Sequence, residues 1–304
     1  NTAVGANAGY SLTTGTANVA LGYQAMYQSG GSGNIAIGEN SMSQGATGGA
    51  NYAIGRYAMM DANAGATSLS SNSNIAIGQS AMGGTWADAA SNNNIAIGHL
   101  SMDAALNGAL NNTALGHTSL SALTSGDNNV AVGSYAGDAL TTGYSNTFMG
   151  YSSAGTMTTG VSNTAVGFSA MTDVKAGIAV TGCVAIGRDA LLGNSSNTTG
   201  INHTIAIGMD SLKALTTGAS NTAIGYEAGK TLTTGGGNTL LGYGAGKLLT
   251  GGNNVVIGDS AFDAASSADD SVMIGLGAGG AITTGDANMA IGYNALAQHT
   301  TGSR

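Results

Sequence analysis

Few side chains of this chain are of the types that carry out chemistry, and their spacing decides what they could do. The 304 residues include 15 Asp or Glu, 7 Lys or Arg, 4 His and 1 Cys. The acidic residues are scattered, and no two are spaced like the paired carboxylates of a glycoside hydrolase. The sequence also lacks a Gly-x-Ser-x-Gly elbow, a phosphate-binding loop and a His-Glu-x-x-His motif. We therefore predict no enzyme activity, no catalytic residue and no cofactor.

Histidine and cysteine are the residues here that could bind a transition metal. His99 and His117 each follow an aliphatic-Gly pair, 18 residues apart. If the chain stacks with this period, the two rings lie about one strand spacing from each other. A zinc site needs third and fourth ligands nearby, and none is evident. We predict an exposed histidine column and no metal, and Cys183 has no second cysteine to pair with.

Three lysines and two tyrosines recur at one spacing that would bring them together. Lys213, Lys230 and Lys247 are 17 residues apart, as are Tyr226 and Tyr243. A basic ladder could attract an anionic glycan or phosphate, or it could be a solubilising edge. A tyrosine ladder could bind sugar, or it could only stabilise a stack. Both pairs of alternatives stay open, and these five residues are possible surface contacts.

The equal spacing comes from a repeat that runs along the whole chain. Its consensus is Asn-x-Ala-aliphatic-Gly, followed three residues after the glycine by Ala or Ser. It occurs in 17 copies, of which 14 have the Asn and 13 have the Ala. Nine of the 16 spacings between the anchor glycines equal 17 residues. The anchors are Gly5, Gly22, Gly38, Gly55, Gly78, Gly98, Gly116, Gly133, Gly150, Gly167, Gly187, Gly208, Gly225, Gly242, Gly258, Gly275 and Gly292.

This unit predicts an all-β parallel β-solenoid of about 17 coils, forming a single repeat domain over residues 1–304. A short β-branched segment bounded by Asn and Gly indicates a strand. A unit of about 17 residues is too short for a propeller blade or a helix pair. Stacked coils would align like residues at about 4.8 Å. Proline, which would remove a ladder hydrogen bond, is absent from the sequence.

Two columns of the repeat are predicted to be structural. Asparagine four residues before the anchor could form a side-chain amide ladder, or it could serve turn chemistry alone. The ladder residues are Asn1, Asn18, Asn34, Asn51, Asn74, Asn94, Asn112, Asn129, Asn146, Asn163, Asn221, Asn238, Asn254 and Asn288. The isoleucines just before the anchor are predicted to form a core column: Ile37, Ile54, Ile77, Ile97, Ile186, Ile207, Ile224, Ile257, Ile274 and Ile291.

The strand is apolar on both faces, which leaves two arrangements open. Successive side chains of a strand point to opposite sides. Either the second face also meets protein, or the Ala side lines the interior and the aliphatic side is partly exposed.

The coils after Gly55, Gly78, Gly167 and Gly187 are longer, and their extra residues should loop outward. One such loop contains Trp86, which is a possible contact with a partner. The alternative is that the loop is a tolerated variation in length with no role in binding.

The repeat resembles two families of extended fibres. Residues 221–229, Asn-Thr-Ala-Ile-Gly-Tyr-Glu-Ala-Gly, and the later Thr233-Thr234-Gly235 are similar to the head repeat of trimeric autotransporter adhesins of the YadA type and to the repeat region of phage tail fibres. The resemblance implies a left-handed parallel β-roll in a homotrimer, intertwined or side by side. The adhesin repeat is usually shorter than this one, which favours the tail-fibre version.

We therefore expect a structural and adhesive segment of a fibre. The main expectation is a viral tail fibre that attaches to a host cell, on the virion and extracellular. The alternatives are a bacterial surface adhesin or extracellular filament subunit and, more distantly, an ice-binding solenoid. The expected partners are two more copies and an unidentified cell-surface glycan or protein receptor. A net charge of -8 disfavours nucleic acid, and the sequence has no membrane-spanning apolar run. The chain also reads as a fragment of a longer protein.

Overall fold

The computed structural model describes residues 1–44, 48–61, 70–87, 89–194, 198–264 and 266–301. These residues contain parallel β-strands and turns, and no α-helix lies among them. The chain divides into two compact units, unit 1 (Asn1–Tyr151) and unit 2 (Ser152–Arg304), and each is described by itself. The single domain over residues 1–304 stays a prediction.

Unit 1 carries nine strands, each paired in parallel with the next along the chain. Every pair has the same register, in which the residues before one anchor glycine oppose those before the next. The strands are β1 Thr2–Val4, β2 Val19–Leu21, β3 Ile35–Ile37, β4 Tyr52–Ile54, β5 Ile75–Ile77, β6 Ile95–Ile97, β7 Thr113–Leu115, β8 Val130–Val132 and β9 Thr147–Met149.

Unit 2 repeats this arrangement with eight strands in the same register. The prediction of an all-β parallel β-solenoid is therefore confirmed. The strands are β10 Thr164–Val166, β11 Val184–Ile186, β12 Ile205–Ile207, β13 Thr222–Ile224, β14 Thr239–Leu241, β15 Val255–Ile257, β16 Val272–Ile274 and β17 Met289–Ile291.

The anchor glycines end the strands because no other residue fits their backbone. Gly38, for example, has a φ of 131°, which residues with a Cβ rarely adopt. A Cβ built on it would lie 2.6 Å from the carbonyl oxygen of Gly55 in the next coil. Conformation and close packing both therefore require glycine. The chain turns at once, so each strand is only three residues long.

The interior of each unit is lined by small side chains. Alanines in the middle of the strands, such as Ala96 and Ala131, are fully buried, as is the Ala or Ser three residues after most anchors. Larger residues fit where glycine leaves room. Phe148 takes such a middle position, and a Cβ on Gly137 of the preceding coil would lie 2.7 Å from its ring. The core is therefore filled by placing a large side chain in one coil next to a glycine, which has no side chain, in the neighbouring coil.

The isoleucines just before the anchors are not the core of the chain, which corrects the sequence prediction. Alternation along the strand directs alanine inward and its aliphatic neighbours outward. The interior of the coil is narrow, so it holds the small alanine side chains and not the larger aliphatic ones. All ten predicted core residues are partly or well exposed: Ile37, Ile77, Ile97, Ile207, Ile257 and Ile274 partly, and Ile54, Ile186, Ile224 and Ile291 more. Of the two arrangements left open by the sequence, the single chain has the one with alanine inside.

Candidate functional site

The asparagine column forms a continuous hydrogen-bonded row from Asn1 to Asn146 in unit 1. In unit 2 the row is continuous from Asn221 to Asn288. The Oδ1 of Asn112 accepts hydrogen bonds from the backbone N–H and the Nδ2 of Asn129, at 2.9 and 3.0 Å. Its own Nδ2 donates to the carbonyl of Gly126 at 2.8 Å. The side chain therefore forms a ladder and also closes a turn, so both roles considered from the sequence apply. These buried asparagines have no exposed group to offer a ligand.

The row is modified where another residue replaces asparagine. The Oγ of Ser271 accepts the N–H of Asn288 at 3.1 Å, so a hydroxyl can continue the row. The hydroxyl of Thr204 has no hydrogen-bond partner. Cys183 is buried and donates its thiol to the carbonyl of Ile201 at 3.0 Å. Burial raises the pKa of this thiol to about 11, so Cys183 is structural and unreactive.

The three lysines are neutralised by carboxylates rather than forming a free basic ladder. The Nζ of Lys230 lies 3.1 Å from Asp210 and 2.6 Å from Glu227, and Lys247 also lies 2.6 Å from Glu227. Lys213 lies 3.0 Å from Asp189 and 3.1 Å from Asp210. The charges alternate along neighbouring coils in one row: Asp189, Lys213, Asp210, Lys230, Glu227 and Lys247.

Protonation in this ion-pair row follows from its geometry. Hydrogen bonds from Lys230 and Lys247 lower the pKa of Glu227 to about 2. Burial opposes ionisation of Asp210, but hydrogen bonds from Lys213 and Lys230 outweigh it and hold its pKa below the usual range. Hydrogen bonds to the carboxylates raise the lysine pKa values. Asp210, Glu227 and the three lysines are thus charged at neutral pH, and an anionic ligand would have to displace a carboxylate.

Aromatic rings stack across coils, as the spacing predicts. The rings of Tyr226 and Tyr243 are 5.1 Å apart and nearly parallel. His99 and His117 stack at 5.3 Å, and His117 contacts the edge of Tyr135 at 5.2 Å. No group of three or more His, Cys, Asp or Glu side chains in the described ranges could hold a metal ion. The ring contacts place the histidine pair in one aromatic row with Tyr135.

Trp86 is not a surface residue, which corrects its prediction as a possible contact. The side chain is fully buried, and its Nε1 donates to the carbonyl of Met82 at 3.2 Å. Like Leu123 and Leu140 in shorter coils, it fills the interior after the turn. The longer coil gives the indole room to fold inward, where its apolar area is removed from water.

A cleft in unit 1 was not predicted from the sequence. Its volume is about 380 Å³. Three successive coils, anchored at Gly22, Gly38 and Gly55, supply its lining. The lining residues are Gln24, Tyr27, Gln28, Asn40, Ser43, Gln44 and Met60. The one signal in the sequence is that Gln28 and Gln44 both stand six residues after their anchors.

The chain matches no protein-family model, and it is not significantly similar to any curated protein. The resemblance to adhesin and tail-fibre repeats therefore stays a prediction. In the part of the chain that the structure describes, no helix is long and apolar enough to cross a membrane.

Proposed function

We propose that this chain is a structural and adhesive segment of a homotrimeric fibre, and specifically of a viral tail fibre that attaches to a host cell. One observation supports the proposal most: each unit exposes a column of aliphatic side chains on its strands. Leu115 and Met149 in unit 1 are 44% and 43% exposed, and Leu241 in unit 2 is 44% exposed. Contiguous apolar surface of this kind is typical of an interaction site.

The period of this column favours another copy of the chain as its partner. The aliphatic residues recur once per coil, at the spacing between hydrogen-bonded strands, about 4.8 Å. A second solenoid with the same repeat offers side chains at the same rise, so the two surfaces match along their length. A globular partner has no such period. The number of copies, three, and the left-handed coil are parts of the proposal that rest on the resemblance to fibre repeats.

The rest of the chain suits a structural role. The Asn rows are satisfied by internal bonds, and the ion-pair row carries equal numbers of positive and negative charges. Each coil contacts mainly its neighbours, as in other solenoids, so length can grow without a larger core. A fibre needs these properties: a repeating scaffold, lateral self-association, and surfaces outside the self-association column that can attach to a partner.

The test is the mass of the native particle, measured by sedimentation equilibrium on the full chain. We expect three times the chain mass of 29.4 kDa. Ile54→Lys combined with Ile224→Lys should dissociate the particle and leave the β-type circular dichroism unchanged, because both side chains are exposed in the single chain. The control Gln79→Lys, at an exposed position outside the column, should stay trimeric. A wild-type monomer at high concentration would overturn the proposal.

Attachment is tested separately with the labelled wild-type particle. We expect it to sediment with intact cells of some bacterial strains and not with animal extracellular matrix. Binding to matrix alone would favour the bacterial surface adhesin over the tail fibre.

A further inference from the structure

We propose that the cleft in unit 1 binds an uncharged saccharide. This names the ligand class for the attachment role and so rests on the proposed function. The cleft volume of about 380 Å³ lies at the lower end of the range typical of small-ligand sites, roughly 300–1,000 Å³, which suits a mono- or disaccharide.

Four amide side chains of the cleft are free to bind, whereas the hydroxyl of Ser43 already donates to the carbonyl of Met60 at 3.3 Å. Among the residues described, the side-chain amides of Gln24, Gln28, Asn40 and Gln44 make no hydrogen bond within the chain. This contrasts with the asparagine row, in which each buried amide is used. An amide offers two donors and an acceptor, and a sugar hydroxyl both donates and accepts. Four free amides around one cleft can therefore pair with several hydroxyls.

The apolar part of the lining suits the faces of a sugar ring. Tyr27 is half-buried and stacks on Tyr10, with ring centroids 5.2 Å apart and an angle of 23° between the rings. This contact holds the tyrosine ring in place before a ligand arrives, which lowers the entropy cost of binding. Met60, also half-buried, adds a polarizable surface. Pyranose rings combine hydroxyl edges with C–H faces, as this lining requires.

The backbone places these side chains on a rigid scaffold. The N–H of Gln28 donates to the carbonyl of Ser43 at 3.0 Å, and that of Gln44 donates to the carbonyl of Met60 at 3.0 Å. The N–H of Gln24 is likewise bonded to the preceding coil, at 3.0 Å. Side chains from three coils are thus held in a fixed relation, as a preformed site needs.

Charge selects a neutral ligand. The described lining contains amide, hydroxyl, phenol and thioether groups and no ionised side chain. The chain carries a net charge of -8, which repels acidic glycans at long range. Neutral hexoses and N-acetylhexosamines are the class that remains.

The test is saturation-transfer NMR on the full chain with a panel of neutral sugars (glucose, galactose, mannose, N-acetylglucosamine) and two acidic ones (glucuronate, N-acetylneuraminate). We expect at least one neutral sugar to bind, with an affinity insensitive to added salt. Gln28→Met combined with Gln44→Met keeps the side-chain shape and removes the hydrogen bonds. It should weaken binding at least about tenfold. Tyr27→Ala should abolish the signal.

Matched controls separate the cleft from the rest of the surface. Gln79→Met and Tyr23→Ala change exposed residues outside the lining and should leave binding and melting temperature unchanged. The inference would be overturned if no neutral sugar bound, or if binding survived both cleft variants. Selective, salt-sensitive binding of the acidic sugars would also overturn it. Sedimentation of the same samples shows which idea fails: trimers without sugar binding reject the cleft alone, whereas monomers that bind sugar reject the fibre.

Discussion

Replacing one ladder asparagine tests whether the polar row holds the coils together. Asn112→Ala would remove the acceptor of the Asn129 N–H and the donor to the Gly126 carbonyl. Both groups are buried and have no other bond in the described residues. Each buried unsatisfied group costs about 1–3 kcal/mol, so we expect a loss of about 2–6 kcal/mol. The measurement is the urea unfolding midpoint, together with hydrogen exchange at the Asn129 amide.

A matched variant isolates the ladder bond from the loss of side-chain volume. Asn112→Ser keeps a hydroxyl that can accept the Asn129 N–H, as Ser271 does for Asn288 at 3.1 Å. We expect it to lose about half as much, roughly 1–3 kcal/mol, and to retain protection at Asn129. If alanine and serine are equally harmful, or if alanine changes stability by less than about 0.5 kcal/mol, the ladder is not the stabilising element.

Three further predictions concern the glycines, the two strand faces and the ion pairs. Gly38→Ala should cost at least about 2 kcal/mol more than Gly292→Ala in thermal unfolding, because both share a positive φ but only Gly38 has no space for a Cβ; equal losses would contradict a steric cause. Ala96→Leu should cost about 1–3 kcal/mol by overpacking, whereas Ile97→Thr should scarcely change melting of the dissociated chain; the reverse order would mean that the faces are misassigned. Glu227 has a pKa of about 2 in the folded chain, against an ordinary value of 4.5. Its contribution to the free energy of unfolding is therefore full above about pH 4.5 and is lost as the pH falls towards 2. Across this window, the melting temperature should fall less in Glu227→Gln than in the wild type.

The repeat was enough to predict the solenoid, its register and the stacking of rings. Identical residues one coil apart must align in any parallel stack, so His99 with His117 and Tyr226 with Tyr243 follow from spacing. The strands are only three residues long, because the asparagine side chain already bonds the turn and the glycine leaves the strand at once.

Which side faces inward could not be predicted, because alanine and isoleucine are both apolar. The width of the coil decides it, and that width depends on turn geometry that the sequence does not display. The same limit applies to Trp86, whose loop folds inward. The pairing of Lys230 with Asp210 depends on which turn positions of neighbouring coils meet. The cleft depends on several side chains leaving space, which no single column reveals.

The match between Phe148 and Gly137 bears on how such a chain can change in length. Repeats that are alike at the gene level can be lost or duplicated by recombination. Removing residues 129–145 would delete one coil and place Leu120, the preceding residue of the Gly137 column, where the glycine had been. The phenyl ring would then meet a leucine in a space that fits only a hydrogen atom. Deletion of this coil should therefore overpack the core, so coils at this point are not interchangeable.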